Sequence, residues 1–299
     1  MASRSERVLV TGARGFTGRY LCERLRRLGH QVVGLVEGQP AATGEVSADL
    51  RDPAATSRAI ANVRPDRVVH LAAVSFVAHD DIVEIYNVNL LGTLRLLQAL
   101  AEQDGRVHSV VLASSANVYG NSRLEKITES VPPAPVNHYA ASKLAMEHMA
   151  ATFRDRLPIV VVRPFNYTGP GQYEQFLVPK IVDHFRRRAD AIELGNLDVI
   201  REFMDVRAVA DTYCRLLECE AAIGETVNIC SGRGFALRET IRLLEAETGH
   251  RLEIRVNPQL VRARELHRLV GSPEKLISLV GPVEDIPLAT TLRDMLTQA

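Results

Sequence analysis

The stretch VLVTGARGFTG, residues 8–18, decides the fold of this chain. Three apolar residues lead into a turn in which Gly12, Gly15 and Gly18 stand three residues apart. After the turn, apolar side chains recur at helical spacing, at Tyr20, Leu21, Leu25 and Leu28. This order predicts a strand, a tight turn and a helix.

A turn of this kind predicts a binding site for a pyrophosphate. Glycine lets the backbone turn sharply and approach a phosphate, and it lets the helix pack closely on the strand. The free N–H groups at the start of the helix, with the helix dipole behind them, attract the anion. A second strand at Gln31–Val36 follows at the distance that a strand–helix–strand unit needs. The alternative is a purely structural turn, which the flanking strand and helix make less favourable.

The composition argues against several classes of protein. The 299 residues carry 36 basic and 36 acidic side chains, so net charge favours neither nucleic acid nor an anionic membrane as a partner. No apolar run is long enough to span a membrane, and the short polar stretch Met1–Arg7 is not that of a signal peptide. The cysteines form no C-x-x-C pair, so we expect free thiols, no metal site and a cytoplasmic protein.

Short apolar segments alternate with helical patterns through the first half of the chain. The predicted strands are Val8–Val10, Gln31–Val36, Glu45–Ala48, Arg67–Leu71, Ser109–Ala113 and Ile159–Arg163. The predicted helices are Gly18–Leu28, Pro53–Asn62, Ile82–Gln103 and Tyr139–Phe153. This alternation predicts an α/β fold with a Rossmann-type, doubly wound parallel sheet. Its ligand is expected beyond the carboxyl ends of the strands.

The pair Tyr139 and Lys143 is the sharpest chemical signal, because residues four apart share one face of a helix. A free phenol has a pKa of about 10 and is a poor acid at neutral pH. We expect the nearby ammonium to lower that pKa, so that Tyr139 exchanges a proton with a carbonyl or hydroxyl oxygen. Ser115 ends a buried strand and offers a hydroxyl to the same oxygen. A surface pair is the alternative for the Tyr–Lys spacing taken alone.

The order T-G-x-x-G-F-x-G, Ser115, then Tyr139 with Lys143 resembles the extended short-chain dehydrogenase/reductase family. The resemblance implies an NAD(P)-dependent oxidoreductase in which these three side chains form the catalytic set. It implies that Lys143 also holds the nicotinamide ribose. The cofactor contacts that we expect besides Tyr139 and Lys143 are Gly12, Arg14, Gly15, Phe16, Thr17, Gly18, Glu37, Asp49, Leu50, Leu71, Ala72 and Ala73. His70 is expected to be a packed residue at a strand end.

The resemblance also divides the chain. We predict an NAD(P)-binding Rossmann domain at residues 1–165, to which residues 203–230 return, with Asp205 capping a helix and Thr226–Ile229 forming a strand. Residues 166–202 and 231–299 are predicted to form a smaller, interleaved C-terminal α/β lobe that binds the substrate.

The residues that follow Ser115 argue against one branch of this family. Sugar-nucleotide 4,6-dehydratases carry acidic residues there, whereas this chain has Ala116 and Asn117. Neither side chain exchanges a proton at neutral pH. A reductase, which needs only a tyrosine, a hydroxyl, a lysine and a hydride, is therefore favoured.

Several stretches in the second half resemble GDP-sugar enzymes of the same family, at residues 163–172, 176–180, 195–206, 227–232 and 262–265. The resemblance implies reduction of the C4 ketone of a GDP-linked keto sugar. Arg201 and Arg262 are candidates for the two phosphate charges, because guanidinium groups bind phosphate in bidentate fashion. The other candidate substrate-binding residues are Asn166, Val178, Lys180 and Glu265. A surface ion pair is the alternative for each arginine.

The form of the cofactor and the rival activities stay open at this stage. Glu37, near the end of the second strand, is an argument for NAD(H), because an acidic side chain there repels a 2′-phosphate. Arg14, inside the loop, is an argument for NADP(H), because it is placed to pair with that phosphate. We favour NADP(H) and keep NAD(H) as the alternative. A 4-epimerase and a catalytically idle, nucleotide-sensing protein are the rival readings. Family members usually form homodimers through two long helices, here Ile82–Gln103 and Tyr139–Phe153, although core packing explains their apolar residues equally well.

Overall fold

The computed structural model describes residues 5–76, 79–103, 105–260 and 267–297. Its strands are β1 (Arg7–Thr11), β2 (Gln31–Val36), β3 (Glu45–Ser47), β4 (Arg67–His70), β5 (Ser109–Ala113), β6 (Ile159–Pro164), β7 (Tyr167–Thr168), β8 (Ala191–Leu194), β9 (Ile200–Arg201), β10 (Met204–Asp205), β11 (Thr226–Ile229), β12 (Phe235–Ala236), β13 (Glu253–Val256) and β14 (Arg268–Leu269). Its α-helices are α1 (Phe16–Arg27), α2 (Pro53–Val63), α3 (Ile82–Tyr86), α4 (Thr93–Ala101), α5 (His138–Ala151), α6 (Leu177–Arg186), α7 (Val206–Glu218), α8 (Leu237–Thr248), α9 (Glu274–Val280) and α10 (Leu288–Thr297).

Seven strands form one sheet in the order β11-β6-β5-β4-β1-β2-β3. Every neighbouring pair in it is parallel. The chain moves outward from β1 in one direction through β2 and β3, and then in the other direction through β4, β5 and β6. The strand order therefore reverses between β1 and β4, which is where such sheets bind ligands. The predicted Rossmann-type parallel sheet is confirmed.

The central strand β1 shows how the sequence builds the two helical layers. Successive side chains of a strand point to opposite faces. Val8 and Val10 pack into a core with α1, α7 and α9, whereas Leu9 packs into a second core with α2, α4 and α5. All three side chains are fully buried. Both faces of the sheet are thus covered, as the continuous apolar runs of the strands require.

A third core lies apart from these two, among α6, α8 and α10. Its buried members include Ile181, Phe185, Ile241, Leu244 and Leu292. Two small sheets accompany it, one pairing β8 with β13 and the other with the order β12-β9-β14. The strand β11 returns to the large sheet beside β6. The residue boundaries predicted for the two lobes stay a prediction.

Local signals in the sequence give several elements their bounds. The predicted strands Gln31–Val36, Ser109–Ala113 and Thr226–Ile229 are confirmed residue for residue. Asp205 caps α7 as predicted, since its carboxylate accepts a hydrogen bond of 2.8 Å from the backbone N–H of Arg207. The structure also contains α9, which the sequence pattern did not predict.

The predicted helical segment Ile82–Gln103 is helical from Ile82 to Ala101, but its interior departs from regular α-helix. A π-helical turn at Asn87–Gly92 separates α3 from α4. The turn directs the side chain of Asn89 to the backbone of Val74, from whose N–H it accepts a bond of 2.8 Å and to whose carbonyl it donates one of 3.1 Å. A wider turn of this kind often lies near a functional site, and a pattern with a period of 3.6 residues does not reveal it.

We predict that Gly18→Ala destabilises the fold more than Gly15→Ala. A Cβ atom on Gly18 would lie 2.2 Å from the carbonyl oxygen of Gly12, whereas one on Gly15 would lie 3.1 Å from it. Overpacking of this kind costs about 1–3 kcal/mol, so Gly18→Ala should lower Tm by several degrees in thermal unfolding. Equal Tm values for the two variants would contradict the packing shown by the structure.

Candidate active site

The glycine loop joins β1 to α1 at the point where the strand order reverses. Gly12 has a φ of +67°, and a Cβ atom there would lie 2.9 Å from the backbone nitrogen of Ala72. Both features require glycine. Within the described residues, no side chain caps the first N–H groups of α1, which begins after Gly15. These groups and the helix dipole suit a pyrophosphate, so the loop fits the dinucleotide that the sequence predicts.

Two arginines, Arg14 after β1 and Arg51 after β3, are each already paired with carboxylates. The guanidinium of Arg14 donates to both carboxylate oxygens of Glu45, at 3.0 and 2.6 Å. Arg51 donates to Glu37 at 2.7 Å and to Asp49 at 3.0 Å. The hydrogen bond from Arg14 is the main reason that the pKa of Glu45 is lowered to about 2. Sequence reasoning singled out Arg14, Glu37 and Asp49 but not Arg51.

The residues that follow β4 lie between the glycine loop after β1 and Ser115 after β5. Leu71, Ala72 and Ala73 are half-buried there, and the backbone N–H of Ala72 donates to the hydroxyl of Thr11 at 3.1 Å. Leu50, one of the expected cofactor contacts, is buried in the core that lies on the α2 side of the sheet. Backbone rather than polar side chains therefore lines this part of the crevice.

His70 is a packed residue, as expected. Its Nδ1 lies 2.7 Å from the Thr11 hydroxyl and its Nε2 lies 2.8 Å from the Thr93 hydroxyl. Thr93 gives its own proton to the carbonyl of Asn89, so it accepts from Nε2–H of His70. Burial, with a smaller effect of Lys143, lowers the pKa of His70 to about 3. The imidazole is therefore neutral and holds strands and helix together.

Ser115 stands just beyond β5, at the start of a short 3₁₀ turn, Ala116–Tyr119. Its hydroxyl accepts hydrogen bonds from the backbone N–H and the side-chain amide of Asn117, at 3.2 and 3.1 Å. The side chain is 5% exposed. Because both of these bonds use lone pairs of the oxygen, the hydroxyl proton is directed elsewhere, where it is available to a ligand oxygen.

Tyr139 and Lys143 lie one turn apart on α5, and both are buried. Asn137 begins this helix by accepting a bond of 2.8 Å from the N–H of Ala140. The ammonium of Lys143 donates to the carbonyl of Ala113, the last residue of β5, at 2.8 Å. Burial lowers the pKa of Lys143 to about 8, and the carboxylate of Glu147 opposes that effect. A charged side chain of α5 is thus bonded to the strand end that carries Ser115.

The lowered tyrosine pKa expected from the sequence is wrong for this structure. Burial raises the pKa of Tyr139 to about 12, while the nearby Ser115 hydroxyl acts in the opposite direction. The physical reason is that the phenol loses its hydration on burial, and Lys143 directs its ammonium to Ala113. Tyr139 is therefore fully protonated at neutral pH, which suits an acid rather than a base.

The candidate substrate-binding residues differ in how far they are exposed to solvent. Asn166 is exposed and Lys180 is half-buried, with its ammonium 3.2 Å from the carbonyl of Glu193. Arg201 is half-buried on β9. Val178 is buried in the third core, so its side chain packs and does not face the crevice. The other two candidates, Arg262 and Glu265, lie outside the described residues.

Two residues that sequence reasoning did not single out support the site. The hydroxyl of Tyr167 lies 2.7 Å from that of Thr17, and its ring is stacked on Phe16 with the centroids 6.1 Å apart, so it ties β7 to the first turn of α1. Glu202 is fully buried and accepts bonds of 2.6 Å from the N–H groups of Ser231 and Gly271. Glu202 stands between Arg201 and Phe203, and this mixed charged and apolar neighbourhood carries no signal for its burial.

A doubly wound sheet, a glycine-lined helix start and a buried serine, tyrosine and lysine together define a dinucleotide-dependent oxidoreductase of the short-chain dehydrogenase type. Residues 8–230 match the NAD dependent epimerase/dehydratase family, and the chain belongs to that family. The match confirms two predictions: that the chain is an extended short-chain dehydrogenase/reductase, and that it belongs to the NAD(P)-dependent oxidoreductases. Within the described residues, no helix is both long and apolar enough to span a membrane.

Two relatives that share most of their length with this chain are named as enzymes of GDP-linked deoxysugars. The chain is 37% identical to GDP-6-deoxy-D-talose 4-dehydrogenase of Aggregatibacter actinomycetemcomitans, over 92% of this chain and 91% of the relative. It is 34% identical to GDP-6-deoxy-D-mannose reductase of Pseudomonas aeruginosa, over 98% and 97%. The solved structure of RMD from Pseudomonas aeruginosa complexed with NADPH has a TM-score of 0.83 and 32% identity, over 98% of each chain.

Proposed function

We propose that this protein reduces the C4 ketone of a GDP-linked 4-keto-6-deoxy sugar, converting GDP-4-dehydro-6-deoxy-D-mannose to GDP-D-rhamnose. The observation that carries the proposal is the buried set of Ser115, Tyr139 and Lys143 at the carboxyl end of the sheet. The relatives named as a GDP-6-deoxy-D-mannose reductase and a GDP-6-deoxy-D-talose 4-dehydrogenase support a GDP-sugar and chemistry at C4.

In this proposal Tyr139 donates the proton. With a pKa of about 12, its phenol carries the proton throughout the neutral range and gives it to the ketone oxygen as negative charge develops there. Ser115 donates a second hydrogen bond to the same oxygen and orients it. When bound, the reduced nicotinamide supplies the hydride. In this structure the Lys143 ammonium donates to Ala113 and does not lower the phenol pKa, but we propose that its charge, one helical turn away, favours the phenolate once the ketone is bound.

The surroundings of Ser115 favour reduction over dehydration. Ala116 is buried, and the side-chain amide of Asn117 is hydrogen-bonded to the Ser115 hydroxyl at 3.1 Å. Elimination of water from the sugar needs a group that removes or supplies protons at neighbouring carbons, and neither side chain does so. In this proposal Tyr139 supplies the single proton that ketone reduction needs.

The smaller lobe is proposed to bind the nucleotide sugar. Lys180 on α6 and Arg201 on β9 supply positive charge for the diphosphate, and Asn166 supplies an amide for the sugar. We also propose a homodimer that packs the two long helical segments Ile82–Gln103 and Tyr139–Phe153 of two copies together. The exposed side chains of Ile82 and Val83, at the start of the first segment, support this arrangement.

The decisive test of the function is to incubate the protein with GDP-4-dehydro-6-deoxy-D-mannose and NADPH and to identify the sugar by NMR. We expect oxidation of NADPH and formation of GDP-D-rhamnose. The second candidate product is the C4 epimer, GDP-6-deoxy-D-talose, because one relative is named as a GDP-6-deoxy-D-talose 4-dehydrogenase. Tightly held NAD and turnover without added cofactor would instead indicate a 4-epimerase. Dinucleotide binding without turnover of any keto sugar would indicate an idle, nucleotide-sensing protein.

Replacing Tyr139 with phenylalanine removes the proposed acid while keeping the ring. We expect kcat for ketone reduction to fall by about 10²–10⁴-fold, which is the usual contribution of general acid catalysis. The affinity for NADPH, measured by fluorescence titration, should be unchanged. Tyr173→Phe is the matched control, because Tyr173 is 57% exposed. Near-normal reduction by Tyr139→Phe would refute the assignment.

NADPH is proposed as the preferred reductant. The charge of Glu37, which would repel a 2′-phosphate, is offset by Arg51 at 2.7 Å. Arg14, in the glycine loop, donates to the carbonyl of Gln39, two residues beyond Glu37, at 2.9 Å. We expect a higher kcat/KM with NADPH than with NADH. Arg14→Met should lower the NADPH value by about 10- to 100-fold, the worth of a hydrogen bond to a charged group, and leave the NADH value unchanged. Arg58→Met, an exposed arginine of α2, is the control. Preference of the unmodified protein for NADH would contradict this assignment.

A further inference from the structure

A buried ion pair lies directly behind the catalytic side chains. The carboxylate of Glu147 on α5 accepts two hydrogen bonds from Arg163 on β6, at 2.9 and 2.6 Å. The two side chains are 9% and 7% exposed. Removing charges from water is costly, and a pair this deep is retained when it has further partners or a task. Its surroundings indicate what that task is.

Glu147 has one partner on the strand end that carries Ser115. The hydroxyl of Ser114 donates to the same carboxylate oxygen that the Nε of Arg163 contacts. Ser114 directly precedes Ser115, and its backbone N–H donates to the carbonyl of Val162 on β6, at 2.8 Å. The carboxylate therefore joins α5, the end of β5 and β6 at one point.

Glu147 also lies one helical turn beyond Lys143. Its negative charge acts on the buried ammonium and opposes the effect of burial. Among the residues that the structure describes, the other groups around Lys143 supply no second counter-charge. Tyr139 on the same helix is protonated, and His70 from β4 is neutral because burial lowers its pKa to about 3. Arg163 is itself a cation and is paired with Glu147.

Arg163 is held in turn from its other side. Its guanidinium carbon lies 4.8 Å from the ring centroid of Tyr119, whose hydroxyl donates to the side-chain oxygen of Asn228 at 2.7 Å. The amide of Asn228 donates to the carbonyl of Ile127 at 3.0 Å. With Arg163 fixed by these contacts, the orientation of the Glu147 carboxylate is fixed as well.

We propose that Glu147 is a positioning residue for the reaction, which fixes Ser115 relative to α5 through Ser114 and supplies the counter-charge for the Lys143 ammonium. This inference rests on the proposed function, since it gives Glu147 its role in ketone reduction. It assigns two separable effects to one carboxylate. One is geometric and passes through the Ser114 hydroxyl, and the other is electrostatic and acts on Lys143.

The electrostatic effect is tested by direct titration of Lys143 in the cofactor-free protein. The lysines are Lys126, Lys143, Lys180 and Lys275, so ¹³C labelling at the ε-carbon gives a simple NMR spectrum, in which Lys143→Arg assigns the signal. In the unmodified protein we expect a midpoint of about 8. In Glu147→Gln we expect a lower midpoint, because the neutral amide no longer favours the ammonium. An unchanged midpoint would overturn this effect.

The geometric effect is tested by Ser114→Ala, which removes the hydroxyl and keeps the carboxylate. We expect kcat to fall by up to about 10²-fold, which is the usual cost of misplacing a reacting group by about 1 Å. The titration midpoint of Lys143 should not change, and KM should change little. In Glu147→Gln the same loss should be joined by a pH profile whose alkaline fall in rate moves to lower pH. The sign follows because reduction needs the charged lysine, which now loses its proton at lower pH.

Glu129→Gln is the matched control. That carboxylate accepts from the backbone N–H of Asn228 at 2.8 Å, at the far end of the same network, and none of its hydrogen bonds among the described residues reaches α5. We expect neither the Lys143 midpoint nor the pH profile to change. If Glu147→Gln only lowers Tm, with the midpoint and the pH profile of the folded protein unchanged, the pair is merely structural and the proposal fails. A failure of the unmodified protein to reduce any keto sugar would refute the proposed function, whereas the NMR midpoint would still test the electrostatic effect of Glu147.

Discussion

The docking of α5 on the carboxyl end of β5 is the constraint on which the site depends. The ammonium of Lys143 donates to the carbonyl of Ala113 at 2.8 Å, and the lysine is 3% exposed. A buried cation is costly unless it is hydrogen-bonded or paired, so solvent does not substitute for this contact. Ser115 lies two residues beyond Ala113, and Tyr139 lies one turn before Lys143. One contact between helix and strand therefore sets the separation of all three functional side chains.

The sheet brings this assembly to the edge that also carries the glycine loop. β1 and β5 flank β4, so the loop and Ser115 are separated by two strand spacings, about 10 Å. The neutral His70 at the end of β4 bonds to Thr11 on one side and to Thr93 on the other, and it holds the intervening layer without adding charge. Between the charged pairs near the glycine loop and the Lys143 ammonium, the layer at the end of β4 is therefore neutral.

The sequence was informative where the signal is local and much less so where packing decides. The glycine loop, the strand Ser109–Ala113 and the cap at Asp205 depend on neighbouring residues, and the structure confirms these elements. The direction in which the Tyr139 pKa shifts depends on burial, and the spacing of residues along a helix does not reveal burial. The pairing of Arg14 with Glu45 joins residues 31 apart, and the burial of Val178 belongs to a core formed from distant segments.

The central claim is that a protonated phenol on α5 faces a nicotinamide whose pyrophosphate rests on the start of α1. A crystal structure of the protein with NADPH and GDP tests it most directly. The account predicts phosphate oxygens within hydrogen-bonding distance of the N–H groups that follow Gly15, and the oxygen of Tyr139 beside the nicotinamide. A dinucleotide bound elsewhere, or a Tyr139 oxygen directed away from the ring, would contradict it.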